Sequence, residues 1–222
     1  PVPRNPDPPT PLNRCQQGNV HVVLVIDASS TMGSSKTRVV KKTKEFINNL
    51  ANNSIDFGYV VFNDGVKKSR KIGTSADDFT YTSGDKSHVG VGIQCAIRLF
   101  GYSGVTQPDD CNANVATYNS NSRNYIVLIG DGVYTNNDYN LKGKQDNSYD
   151  TAAELKTYIS SFANLNVFSV GFDDGAVSGK DEYNRLKKLS TNNTVYTSKT
   201  LSEDSLGSVY GTLLSEIVKS CN

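Results

Sequence analysis

Blocks of apolar and polar residues along the chain predict strands and helices in turn. The apolar, mostly β-branched run from Val22 to Ile26 is continuous, which is typical of a strand buried on both faces. Further strands are predicted at 55–62, 66–72, 125–129, 167–170 and 195–196. Apolar residues at helical spacing predict helices between them, at 36–50, 93–100, 152–162, 182–189 and 206–217.

This alternation predicts an α/β fold. We expect right-handed βαβ crossovers and a doubly wound, mostly parallel sheet with helices on both faces. The turn signal Asn63-Asp64-Gly65 makes residues 66–72 the antiparallel edge strand. We interpret its four cations as edge charges that oppose aggregation, with a glycosaminoglycan-binding patch as the alternative; they are Lys67, Lys68, Arg70 and Lys71.

The 222 residues are consistent with one domain and a tail. Residues 1–14 are proline-rich and lack periodicity, which predicts a linker or disordered arm before a domain at 15–222. The 23 basic residues nearly balance the 22 acidic ones, which argues against a nucleic-acid partner. No apolar run reaches the roughly 20 residues of a membrane-spanning helix. No signal peptide is visible from Pro1 onward, and we expect one to have been removed from a precursor.

Four cysteines occur at positions 15, 95, 111 and 221. They form no CxxC pair and only two histidines exist, which argues against a zinc site. Because domain termini often lie close together, we favour Cys15–Cys221, which leaves Cys95–Cys111. Three connectivities are possible, and four free thiols in a cytosolic protein are the alternative. Sequons at Asn52 and Asn192 favour secretion and a glycoprotein.

Polar side chains follow two of the predicted parallel strands. Asp27, Ser29 and Thr31 come after the first strand, and Asp131 follows the strand at 125–129. Ligands of open α/β sheets bind outside the carboxyl ends of the strands, so these side chains are candidates for one site. Helix capping is the alternative explanation for aspartate and serine after a strand.

These segments resemble the metal-ion-dependent adhesion site of the von Willebrand factor A domain family. Asp27 to Thr31 matches its D-x-S-x-S motif, Ser87 matches the threonine of a T-x-T-G-x-A-L-like segment, and Asp131 matches the aspartate of T-D-G. Thr31 replaces a serine and Ser87 a threonine, and both keep the hydroxyl. Gly130 replaces the threonine before the aspartate and loses it.

The resemblance covers residues 20–221 and implies the Rossmann-like fold of that family. It implies direct ligation of Mg²⁺, Mn²⁺ or another divalent cation by Ser29, Thr31 and Ser87. Asp27 and Asp131 would act through waters or hydrogen bonds. An open coordination position would then accept a carboxylate from a partner protein or an extracellular-matrix component, with a glycan as a further possibility. The implied function is that of a secreted or extracellular adhesion module.

Loops beside this site are expected to give specificity, namely residues 132–149, 172–181 and those before Ser87. Tyr134, Asp138 and Tyr139 are candidate contacts, although ordinary loop packing is the favoured explanation for the tyrosines. The loop at 101–122 follows the end of its helix and is expected at the opposite rim of the sheet.

Two other functions are compatible with parts of the sequence. A metal-dependent hydrolase or phosphotransferase would use Asp27 or Ser29 as nucleophile and His88 as base. No acid partner, oxyanion loop or glycine-rich phosphate loop is recognisable, so we expect no enzyme. A metal-free structural module stays open because of Gly130 and Ser87.

Overall fold

A computed structural model describes residues 12–74, 83–143, 151–198 and 203–222. Its strands are β1 (Val20–Asp27), β2 (Asp56–Phe62), β3 (Val66–Gly73), β4 (Arg123–Gly130), β5 (Leu165–Gly171) and β6 (Val195–Thr197). Its α-helices are α1 (Lys36–Asn52), α2 (Val89–Leu99), α3 (Ala152–Ser160), α4 (Asp181–Leu189) and α5 (Glu203–Lys219). Every predicted element is present, and the differences are confined to residues at the ends.

One sheet joins the strands in the order β3-β2-β1-β4-β5-β6. All neighbours run parallel except β3, which pairs antiparallel with β2. The predicted doubly wound α/β fold with one antiparallel edge strand is therefore confirmed. The strand order reverses beside β1, which lies between β2 and β4, and ligands of such sheets bind at this switch point.

Side chains of β1 pack into two separate hydrophobic cores, one on each face of the sheet. Val23 and Val25 point to the face covered by α2, α3 and α4. Leu24 and Ile26 point to the opposite face, which α1 and α5 cover. Because both faces of the sheet are buried here, residues that point to either face must be apolar. This explains why the apolar run is continuous rather than alternating. Each fully buried aliphatic side chain of this kind contributes about 1.5–3 kcal/mol.

Two cationic side chains of the edge strand β3 lie over aromatic rings of the neighbouring strand β2. The Lys68 ammonium lies 6.0 Å from the centre of the Tyr59 ring, and the Arg70 guanidinium lies 5.2 Å from that of Phe57. Lys68 is exposed, so its charged end stays near water, whereas Arg70 is only partly exposed and its guanidinium packs against β2.

Two disulfides close the domain, and both predicted pairings are present. Cys15 and Cys221 join the chain ends with their Cα atoms 5.0 Å apart. The Arg14 amide also donates a 2.7 Å hydrogen bond to the Cys221 carbonyl. Cys95 and Cys111 join α2 to the loop that follows it, with a Cα separation of 5.7 Å. Of the predicted arm at 1–14, residues 1–11 lie outside the described residues.

The loop at 101–122 departs from its predicted place in its middle part. Asn119 contacts Asn19 near the amino end of β1, at the expected rim. The segment 108–111 instead runs along α2: the Asp110 carbonyl accepts from Ser69 at 3.2 Å, and Asp109 pairs with Lys142 at 2.8 Å. The bond from Cys111 to Cys95, within α2, holds the loop there. The prediction that the whole loop lies away from the site is therefore wrong.

No helix in the part of the chain described above is long and apolar enough to cross a membrane.

Removing the disulfides should destabilise the domain to different extents. The Cys15–Cys221 bridge closes 206 residues of chain, and Cys95–Cys111 closes 16. From loop-closure entropy, replacing both cysteines of a pair with serine should lower the free energy of unfolding by about 5 kcal/mol and about 3 kcal/mol, respectively. Guanidinium unfolding of the two double variants and the wild type measures this, and the reverse order would contradict it.

Candidate metal centre

Asp27 ends β1 and is fully buried at the rim of the sheet. The Ser29 amide donates to Asp27 Oδ1 at 2.8 Å, which turns the chain across the strand end. Residues Ser30–Ser35 then form a short 3₁₀ segment, anchored by the buried Met32. Gly33 has a φ of 44°, a left-handed conformation that glycine adopts without strain. The sharp turn leaves the Ser29 hydroxyl 2.8 Å from that of Thr31.

Ser87 reaches the same carboxylate from the segment before α2. Its hydroxyl donates to Asp27 Oδ2 at 2.7 Å, and its side chain is buried. A backbone bridge holds this segment against the β1 turn, since the Ser30 amide donates to the Gly84 carbonyl at 2.6 Å. A Cβ at Gly84 would collide with the amide end of the Asn63 side chain, so a larger residue there would force Asn63 to move. The contact between Ser87 and Asp27 spans 60 residues of sequence.

Asp131 enters from the end of the neighbouring strand β4. Ile26 is paired with Ile129, so Asp27 lies beside Gly130 and Asp131 follows one residue later. The Asp131 side chain is buried, and its Oδ1 accepts from the Val133 amide at 3.0 Å. Gly132 has a φ of 76°, and a Cβ there would meet the backbone of Glu182. The turn after Asp131 therefore also depends on glycine.

The two buried carboxylates raise each other's cost of ionisation. Burial, followed by the negative charge of Asp131, raises the pKa of Asp27 to about 7. Hydrogen bonds from Ser29 and Ser87 act in the opposite direction but do not cancel the effect. A positive charge placed between the carboxylates would favour their ionised forms. The site thus has the electrostatics expected of a cation-binding centre.

All five predicted site residues meet in this network. Four are buried, whereas Thr31 is exposed beside an open crevice of about 270 Å³. The crevice is lined by Ser29, Thr31, Asp85, Lys86, Ser87, His88, Val133, Thr135, Asn137 and Asp138. An external group can therefore approach the hydroxyls from solvent, while the carboxylates stay beneath them.

The donor set fits a hard divalent cation. The five side chains offer hydroxyl and carboxylate oxygens, the ligands that Mg²⁺ and Mn²⁺ prefer. In the described ranges, no group of three or more His, Cys, Asp and Glu side chains is placed to hold a metal ion. A site made mostly of hydroxyls contains only two such residues, Asp27 and Asp131, so that finding does not argue against it.

The candidate contact residues of the next loop are mainly packing residues. Tyr134 and Tyr139 are buried and pack edge to face, with ring centres 6.2 Å apart. Asp138 is also buried and accepts a 2.6 Å hydrogen bond from the Thr135 amide. Loop packing, the favoured explanation for the tyrosines, agrees with this burial. The exposed side chains that line the crevice are instead Thr31, Asp85, Lys86, Val133, Thr135 and Asn137.

Two features of the site were missed from the sequence. His88 Nε2 lies 3.7 Å from Asp138 Oδ1, so the histidine does have an acidic neighbour. The Tyr134 hydroxyl lies close to Gly130, between the two aspartates' strands. The sequence contained one signal for the position of the Tyr134 hydroxyl, namely Gly130 in place of the expected threonine.

The histidines do not form a nucleophile–base pair with the site serines in the described contacts. Ser87 donates to Asp27, and Ser29 bonds with Thr31. His21 lies at the other end of β1, where its Nδ1 is 3.1 Å from Asn124 Oδ1. The serine-nucleophile arrangement considered from the sequence therefore finds no support here.

Comparisons with known proteins place the fold. The sequence profile of the von Willebrand factor type A domain matches residues 21–211. A comparison with curated protein sequences gives no match. The pilus adhesin SpaC of Lactobacillus rhamnosus GG, in its open conformation, is 16% identical with a TM-score of 0.65; the match covers 91% of this chain and 30% of SpaC.

Two further solved structures share the architecture. The vWF domain of the type V pili tip protein Mfa5 from Porphyromonas gingivalis has a TM-score of 0.68 at 12% identity, with coverage of 96% of this chain and 98% of that one. Proximal thread matrix protein 1 from the mussel byssus, with a zinc-occupied MIDAS motif, has a TM-score of 0.55 at 16% identity, covering 92% and 46%. At these identities the structures show the fold alone. Because the profile match spans most of its length, the chain belongs to the von Willebrand factor type A domain family.

Proposed function

We propose that this domain is an extracellular ligand-binding module that holds a divalent cation, Mg²⁺ or Mn²⁺, at the rim of its sheet. The observation that carries the proposal is the meeting of two buried carboxylates and three hydroxyls, which together come from three separate segments of the chain. The residues that would hold the ion are Asp27, Ser29, Thr31, Ser87 and Asp131.

Each of these residues has a role that follows from its contacts. The Ser87 hydroxyl donates its hydrogen bond to Asp27, so the lone pairs of its oxygen stay free for a cation. Asp27 also accepts from the Ser29 amide, which fixes the turn that carries the Ser29 and Thr31 hydroxyls. Asp131 adds the second negative charge from β4. The buried carboxylates would thus orient the hydroxyls and balance the positive charge of the cation.

The partner we propose offers an acidic side chain. A bound cation would supply an open coordination position for a carboxylate oxygen, since neutral hydroxyl ligands leave much of its charge unquenched. The exposed Asp85 and Lys86 line the same crevice with opposite charges, so the cation itself would supply the attraction for a carboxylate, while the exposed Val133 offers an apolar contact. A protein or matrix carboxylate fits these features, and an acidic glycan is the alternative ligand.

Several observations support an extracellular setting. All four cysteines are paired, which is typical of proteins from oxidising compartments. Both sequon asparagines, Asn52 and Asn192, are exposed and thus open to glycosylation. Two of the proteins with the same fold are a pilus adhesin and a pilus tip protein. We therefore propose adhesion rather than catalysis as the role of the domain.

A metal-free structural module is the second candidate. The observation that favours it is that the site hydroxyls already bond within the protein, Ser29 with Thr31 and Ser87 with Asp27. A protonated Asp27 would also reduce the repulsion from Asp131.

Calorimetric titration with Mn²⁺ and Mg²⁺ distinguishes the two candidates. We expect saturable binding to the wild type and an affinity about 10- to 100-fold lower for Asp27→Asn, because the amide removes the charge and an acceptor for Ser87 or Ser29. Asp56→Asn is the matched control, since Asp56 lies at the opposite end of the neighbouring strand β2 and should bind as the wild type does. Absence of binding by the wild type would refute the cation site and leave the metal-free module.

An acidic peptide tests the ligand class. In the presence of Mg²⁺, the capped peptide acetyl-Gly-Glu-Gly-amide should shift the backbone amide resonances of Ser29, Thr31 and Ser87, because its side-chain carboxylate would enter the cation's open position. The isosteric capped peptide acetyl-Gly-Gln-Gly-amide, which has no carboxylate, should leave them unchanged, as should the glutamate peptide with EDTA. Equal shifts with both peptides would argue against carboxylate recognition.

A further inference from the structure

The hydroxyl of Tyr134 occupies an unusual position next to the proposed cation site. The side chain is 1% exposed, and within the described part of the chain its hydroxyl has no hydrogen-bond partner. A buried hydroxyl without a partner is costly, and packing alone would be served better by phenylalanine. The oxygen therefore calls for a functional explanation.

Gly130 provides the space for this hydroxyl. A Cβ at residue 130 would lie 2.6 Å from the Tyr134 hydroxyl oxygen and 3.3 Å from Asp27 Oδ2. The hydroxyl and the carboxylate oxygen thus flank the one point where a side chain at residue 130 would begin. Glycine at 130 and tyrosine at 134 form a matched pair, and the tyrosine brings an oxygen to the region where a threonine side chain would otherwise stand.

The surrounding structure holds the ring in this place. The Tyr134 amide donates to the Gly132 carbonyl at 2.8 Å, and the ring packs edge to face on Tyr139. The Tyr139 carbonyl in turn lies against Gly90 of α2, where a Cβ would collide with it. Because each link is a backbone or ring contact, the hydroxyl has little freedom to turn away.

The Tyr134 hydroxyl is available as a hydrogen-bond donor. It carries its proton at neutral pH, since the ordinary pKa of tyrosine is about 10. A neutral donor beside two carboxylates can hydrogen-bond to one of them, or to a water molecule that lies between them. The nearby aspartates are therefore the acceptors that this hydroxyl can serve.

We propose that Tyr134 is a positioning residue of the cation site, whose hydroxyl replaces the one missing at Gly130 and holds the Asp27–Asp131 pair through a bridging water. This inference rests on the proposed function. It assigns to residue 134 the role that the sequence motif gives to residue 130. It also explains why a glycine is compatible with the motif in this chain.

Tyr134→Phe tests the proposal, with Tyr139→Phe as the matched control. Both variants remove one hydroxyl from a buried ring, but the charged neighbours of Tyr139 are Arg185 and Asp138 rather than the two site aspartates. By Mn²⁺ calorimetry we expect Tyr134→Phe to bind about tenfold more weakly and Tyr139→Phe to bind as the wild type does. In urea unfolding, the same concentration of Mn²⁺ should stabilise Tyr134→Phe less than it stabilises the wild type, each relative to its own stability in EDTA, which a purely structural role would not give.

A second substitution provides a rescue. Gly130→Ser combined with Tyr134→Phe returns a hydroxyl to the same region without the clash against the tyrosine oxygen, and we expect it to recover most of the lost affinity. A folded double variant that binds no better than Tyr134→Phe alone would overturn the positional assignment. The pair of single variants decides the matter if the double variant does not fold.

The outcomes separate this inference from the proposed function. Unchanged affinity in Tyr134→Phe, or an equal loss in Tyr139→Phe, would overturn the role of Tyr134 while leaving the cation site in place. A wild type that binds no Mn²⁺ would overturn both.

Discussion

The repulsion between two buried carboxylates is the constraint on which the rim of this sheet depends. Asp27 and Asp131 follow adjacent parallel strands, and neither side chain reaches bulk water. In such surroundings a charge is expensive unless hydrogen bonds or an opposite charge offset it. The amide of Ser29 and the hydroxyl of Ser87 supply part of that compensation. In the proposed function, a bound cation would supply the rest.

Three glycines leave room for close contacts around the compensating groups. Gly84 lies against the Asn63 side chain, and Gly132 lets the chain pass the backbone of α4. Gly130 leaves room for the Tyr134 hydroxyl beside Asp27. Each glycine therefore leaves space for a neighbouring group beside the segments that reach the carboxylates. Larger residues at these positions would displace those groups and weaken the site even if every ligand residue were kept.

The loops around the site are fastened by contacts that span the domain. Asp109 of the disulfide loop pairs with Lys142, and the Lys142 amide and carbonyl both bond to Gln94 of α2. His88, which directly precedes α2, lies beside Asp138 of the loop after β4. These links tie the disulfide loop, α2 and the loop after β4 into one rim. The surface presented to a ligand is consequently set by several segments at once.

Much of the fold could be predicted because it follows from local patterns. The β-branched run at Val22–Ile26 predicts a strand buried on both faces, and the Asp27–Thr31 motif places its polar end. The pairing of Cys15 with Cys221 followed from the nearness of domain termini. The position of residues 108–111 was missed because the loop was placed from the end of its helix alone, although the favoured Cys95–Cys111 bond already brings Cys111 back alongside α2.

The sequence by itself thus determined the order of elements and the sheet type, since both depend on short-range pattern and strand polarity. The five candidate ligand residues came from the resemblance of its motifs to those of the family. Only the tertiary structure decided which oxygens meet. The Ser87 hydroxyl reaches Asp27 across 60 residues, and the Tyr134 hydroxyl reaches the space left by Gly130. Such contacts form only when packed segments are positioned to within a few tenths of an ångström, and no periodicity along the chain encodes that positioning.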